Sequence, residues 1–176
     1  FDAVQFATLY FVLTGGARRQ IAYRQDGREL WRYEDPTPYD RGGAGLLDIR
    51  LDTNFPIADI DGDDIPEMAC ARKDAGELML CILNARTGEV KRQVPYPDTA
   101  YRPDDCRGSI LVANLQGHGP THLIISWDYA SITALDPELN VLWRRTLAHE
   151  QGRRHTTMGH TPYVADIDGD GRDEIM

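Results

Sequence analysis

Cysteine is scarce in this chain. Cys70, Cys81 and Cys106 are the only three in 176 residues, an odd number with no metal-binding spacing. A disulfide framework and a zinc finger are therefore excluded as the basis of the fold. Cys70 and Cys81 are spaced to face each other across a hairpin, either bridged or as buried free thiols. Long apolar runs are missing as well, and no stretch is long and apolar enough to cross a membrane. No segment carries an apolar stripe of period 3.6, so helices do not organise the chain. Positive charge is in short supply: 19 Lys and Arg against 28 Asp and Glu leave a net charge of −9, which argues against nucleic acid as a partner. No signal peptide is visible. The chain stops within strand-like residues just after an acidic loop, and a piece of something longer is the expectation.

What is present is a repeat. Asp166, Asp168, Asp170 and Glu174 place carboxylates at positions 1, 3, 5 and 9 of a glycine-containing loop, with the backbone carbonyl of Arg172 at position 7. A hard calcium ion takes six to eight oxygens at about 2.3–2.6 Å, and such a turn lets alternate side chains converge on one centre. Two unscreened carboxylates about 4 Å apart repel by roughly 4 kcal/mol at an effective dielectric of 20, so a bound cation would hold the loop in shape. An earlier copy repeats the pattern with Asp59, Asp61, Asp63, Ile65 and Glu67. Between them lies a third copy, Asn114 to Leu123, with the glycines and the apolar frame but without the charge. It reads as an empty loop, or as a metal site through His118 and His122. Asp59 to Asn114 is 55 residues and Asn114 to Asp166 is 52. Calcium is the cofactor that these loops predict.

The remaining segments read as strands and turns. Residues 8–14, 20–24 and 29–33 are strand-like, with Asp26-Gly27 a hairpin signal. The hairpin returns at residues 80–92, around Arg86-Thr87-Gly88, and at 132–144, around residues 137–140. Leu30, Val90 and Leu142 stand in one phase of it, so hairpin and loop share a period in the low fifties. A repeat of that size made of four short strands predicts an all-β chain, a β-propeller of four-stranded blades. Residues 1–35 would supply outer strands of one blade, 55–97 and 109–150 a blade each, and 162–176 the start of another. A propeller needs at least four blades, so an incomplete fragment is predicted whose ring is closed by the remainder of the propeller.

The D-x-D-G-D-x-x-x-E loop after an apolar strand resembles the FG-GAP repeats of integrin-type propellers. With Gly159-His160-Thr161-Pro162-Tyr163 and the D-G-x-x-L-W hairpin from Asp26 to Trp31, the chain looks like the calcium-binding propellers of the rhamnogalacturonan lyase class. That resemblance implies a secreted or periplasmic polysaccharide lyase, with an acidic polysaccharide as partner. Connections 36–54, 98–108 and 151–161 would line one face of the ring, opposite the acidic loops. β-Elimination on a uronate needs a cation on the sugar carboxylate, a base and an acid. His155 and His160 are the candidate bases, and Tyr101 and Tyr163 the candidate acids. Arg41, Arg102, Arg107, Arg153 and Arg154 are the candidate carboxylate clamps. The plainer alternatives are that His160 hydrogen-bonds backbone at a strand start and that the arginines form a solvated face. Gly42-Gly43-Ala44-Gly45 precedes no helix and no lysine-serine or lysine-threonine pair, so nucleotide binding is discounted. A non-catalytic propeller that binds glycan or protein through the same funnel is the other functional reading.

Overall fold

A computed structural model describes residues 9–13, 19–24, 26–34, 56–75, 77–97, 109–117, 119, 121–127, 131–146 and 162–176. Among these residues there is no helix and no closed barrel; thirteen strands form several antiparallel sheets. Each sheet follows chain order. The first comprises β1 (Leu9–Leu13), β2 (Arg19–Arg24) and β3 (Glu29–Glu34). The second comprises β4 (Ile57–Ala58), β5 (Glu67–Asp74), β6 (Glu77–Asn84) and β7 (Val90–Pro95). The third comprises β8 (Ser109–Ala113), β9 (His122–Trp127), β10 (Ser131–Leu135) and β11 (Val141–Thr146). A two-stranded ladder, β12 (Val164–Ala165) with β13 (Glu174–Ile175), comes last. Successive meanders of this kind are consistent with a fragment of a β-propeller.

Alternation of side chains explains how the sheets stack. Met68 and Cys70 on β5, with Cys81 and Leu83 on β6, pack towards Ala22 and Trp31 of the first sheet. Their neighbours Ala69, Ala71, Leu80 and Ile82 face the other way, against Ile110, Leu123, Ile125 and Leu135 of the third sheet. The central strands of the second sheet are therefore buried on both faces, which is why residues 68–71 and 78–83 are unbroken apolar runs. Cys70 pairs directly with Cys81, as the spacing suggests, and both are buried free thiols.

A polar seam joins the first two sheets. Gln20 Nε2 donates to the Ala71 carbonyl at 3.0 Å, and the buried Arg72 donates twice to Gln20 Oε1 at 3.0 and 3.1 Å. The Arg72 guanidinium also lies over the Tyr33 ring, 3.8 Å from its centre. Trp31 donates to the Ala85 carbonyl at 3.0 Å. Its ring lies so close to Gly88, where φ is +74°, that a Cβ there would stand 2.5 Å from it. Glycine is thus required at that turn by conformation and by space.

The three hairpins share one irregularity. Leu30, Lys91 and Leu142 are each skipped in the pairing of the third and fourth strands, giving a β-bulge at the same place in every meander. The sequence phase put Val90 with Leu30 and Leu142. The structure aligns Val90 with Glu29 and Val141, because Val90 lies seven residues beyond its partner Leu83, whereas the other two hairpins close in six. One extra turn residue moves Lys91 into the bulge.

Candidate metal centre

Each loop bridges the first two strands of its sheet, and all three copies turn left-handed at the same two positions. Position 4 is Gly62, Gly117 or Gly169, with φ between +77° and +78°. Position 6 is Asp64, Gly119 or Gly171, with φ of +65° at Asp64 and +85° at both glycines. Aspartate is one of the few side chains that tolerate this left-handed region, so the first loop keeps the turn without its second glycine.

The carboxylates at position 1 hold the turn. Asp59 accepts from the backbone N–H groups of Gly62, Asp63 and Asp64 at 2.8, 3.0 and 3.1 Å. Asp166 accepts from Gly169 and Gly171 at 2.7 and 3.0 Å. Position 9 closes the loop: Glu67 Oε2 accepts from Ile60 N–H at 2.7 Å and Glu174 Oε2 from Ile167 N–H at 2.8 Å. At position 7, Ile65 and Arg172 donate their N–H groups to Asp63 and Asp170. Oxygens of Asp59, Asp61, Asp63 and Glu67 lie within 4.8 Å of one another, and so do those of Asp166, Asp168 and Glu174. Either group could hold a metal ion. Asp170 stands outside the second group.

The two groups differ in what faces them. In the first, the Lys91 ammonium lies 2.9 Å from Asp61, 2.7 Å from Asp63 and 2.8 Å from Glu67, and Arg92 lies 2.8 Å from Asp61. Burial disfavours charge on Asp61, but hydrogen bonds from Arg92 and Lys91 outweigh it and hold that carboxyl below its ordinary value. Burial pushes Glu67 up, and the contacts of Lys91 and the Ile60 N–H pull it back only in part. The Lys91 ammonium is held charged by its three carboxylates despite partial burial. Among the described residues, no lysine or arginine forms an ion pair with Asp166, Asp168, Asp170 or Glu174.

The middle copy contains no carboxylate between Asn114 and His122. His122, at position 9, is buried, and among the described residues neither its Nδ1 nor the buried Asn114 Oδ1 has a hydrogen-bond partner. His118 lies outside the described residues. The loops are strung along one rim by a recurring contact between position 8 of one and position 1 of the loop before it. Thr121 Oγ1 donates to the Asp59 carbonyl at 3.4 Å, and Asp173 exchanges two hydrogen bonds with Asn114, at 2.6 and 2.9 Å.

Of the residues considered for catalysis, Tyr163 is described. It is exposed, and its backbone pairs with Met176 at the end of the β12–β13 ladder away from the acidic loop. Tyr101, His155, His160, Arg41, Arg102, Arg107, Arg153 and Arg154 lie outside the described residues. Lys91 and Arg92 were missed by sequence reasoning, which put Val90 in phase with Leu30 and Leu142; only the register of the structure sets Lys91 where the other hairpins carry leucine.

No protein-family model matches this chain, and no curated protein matches it. Solved structures do. An exotype rhamnogalacturonan lyase, YesX, superposes with a TM-score of 0.63 at 24% identity over 89% of this chain and 32% of its own. A rhamnogalacturonan lyase from Bacillus licheniformis gives 0.63 at 23% identity over 90% of this chain and 33% of its own. The C-terminal domain of PilY1 from Pseudomonas aeruginosa gives 0.58 at 16% identity over 94% of this chain and 35% of its own. The chain thus spans about a third of each protein it resembles, and at these identities it shares with them a fold.

Proposed function

We propose that this chain is part of a secreted or periplasmic, calcium-stabilised polysaccharide lyase that acts by β-elimination on an acidic, uronate-containing glycan. The observation that carries this reading is the structural likeness to two rhamnogalacturonan lyases over 89% and 90% of the chain. The last acidic loop supports its metal requirement. Asp166, Asp168 and Glu174 offer hard oxygens to a common centre, and a calcium ion would supply the positive charge that their mutual repulsion calls for. Asp170 and the Arg172 carbonyl would complete the ligand set.

In the proposed reaction, one or more of Arg41, Arg102, Arg107, Arg153 and Arg154 binds the uronate carboxylate and acidifies the adjacent C–H. His155 or His160 removes that proton. The electron pair forms the new carbon–carbon double bond as the glycosidic C–O bond breaks, and Tyr101 or Tyr163 protonates the departing oxygen. The test is to incubate the full-length protein, with calcium, with pectic and other uronate polysaccharides and follow the ultraviolet absorbance of the unsaturated product. A rise that His155→Ala or His160→Ala abolishes supports the reading, and no rise on any substrate ends it.

The fold is shared as widely with the PilY1 C-terminal domain, whose name specifies no lyase, so lyase activity does not follow from the fold and a second reading is kept: a non-catalytic propeller that uses the same face to bind glycan or a protein partner. Retention of the chain on immobilised glycan without product formation would select it.

A further inference from the structure

The two acidic loops share their spacing, yet the first already contains a cation. We propose that Lys91 is the permanent counter-charge of the first loop and takes the place that a divalent ion would fill, so that this loop works without metal.

Three observations converge on this. The first is geometric: an ammonium has three N–H donors, and Lys91 spends them on Asp61, Asp63 and Glu67 at 2.7–2.9 Å, drawing three of the four clustered residues to one point. Arg92 adds a second positive charge on Asp61, so the pair brings the two charges that a calcium ion would carry. The second is the state of the carboxylate oxygens. Backbone N–H groups bind Asp59, Asp63 Oδ1 and Glu67 Oε2, and the same bonds recur at Asp166, Asp170 and Glu174 of the last loop. In the first loop Lys91 also takes Asp63 Oδ2 and Glu67 Oε1 and, with Arg92, Asp61 Oδ2, so among the described residues Asp61 Oδ1 is the one oxygen of the four residues left without a partner.

The third is internal to the repeat. Lys91 occupies the bulge, a device that re-aims a side chain, and the same bulge in the third sheet carries Leu142. There the loop has no carboxylates, and the positions matching Lys91 and Arg92 are Leu142 and Trp143. Carboxylates in the loop and cations at these two hairpin positions are present together in one sheet and absent together in the other.

Calcium chloride titrated calorimetrically into wild-type protein, Asp61→Asn and Lys91→Met tests this. Asp61→Asn is expected to bind as many ions as wild type, and Lys91→Met one more. If Asp61→Asn binds one ion fewer, the first loop takes calcium with Lys91 in place and the proposal is overturned. A folded Lys91→Met protein that gains no ion overturns it equally, because the loop would then need no cation. The differences between variants do not depend on whether the last loop holds an ion, which Asp168→Ala reports separately. Should Lys91→Met fail to fold, the Asp61→Asn comparison still decides.

Discussion

The loops at Asp59 and Asp166 present the same carboxylate spacing and the same left-handed turns, yet one is faced by cations of its own sheet and the other, among the described residues, by none. The difference lies outside both motifs. It comes from the fourth strand of the second sheet, where the bulge residue Lys91 reaches back over β6 to the loop. An acidic spacing pattern therefore specifies a turn that needs positive charge, and the rest of the sheet decides whether that charge is an ion or a side chain.

Removing Lys91 should break the contrast most severely. Lys91→Met leaves the buried Glu67 beside Asp61 and Asp63 without the ammonium that compensates them. In a chelator it should cost about 3 kcal/mol in urea unfolding, the low end for a broken buried pair. The low end applies because Asp63 is 42% exposed and screened by water. Added calcium should restore much of that loss.

Metal removal acts on the other loop. At calcium about a hundredfold above its dissociation constant, the last loop should stabilise the protein by about 2.7 kcal/mol. Asp168→Ala should remove that thermal shift while leaving the apo protein nearly unchanged.

The two glutamates sharpen the comparison further. Glu67→Gln weakens a charged contact to Lys91 and should cost about 1.5 kcal/mol with or without calcium, measured by urea titration. Glu174→Gln, with no cation opposite it among the described residues, should cost less than about 0.5 kcal/mol in a chelator. The smallest effect belongs to Leu142→Lys. This residue is 45% exposed beside a loop without carboxylates, and the change should stay within about 0.5 kcal/mol in thermal unfolding.

Local chemistry made much of the fold legible. The Asp26-Gly27 turn, the Arg86-Thr87-Gly88 turn and the spacing of Asp59, Asp61, Asp63 and Glu67 each follow from a few adjacent residues, and the structure has the hairpins where those signals lie. Lys91 was not legible. Its role depends on one extra residue in the turn after Leu83, which moves it rather than Val90 into the bulge, and on a contact 24 residues away in sequence. The seam of Gln20, Arg72 and Tyr33 was hidden for the same reason, since it forms only when two sheets stack. The candidate catalytic histidines and arginines lie in connections, where a sequence supplies chemistry but no periodicity to place it.

Anomalous diffraction from crystals of the protein soaked in calcium tests the central claim most directly. The account predicts a peak between Asp166, Asp168 and Glu174, with none between Asp59, Asp61, Asp63 and Glu67 and the Lys91 ammonium standing there instead. A peak in the first loop with Lys91 turned out to solvent would contradict it.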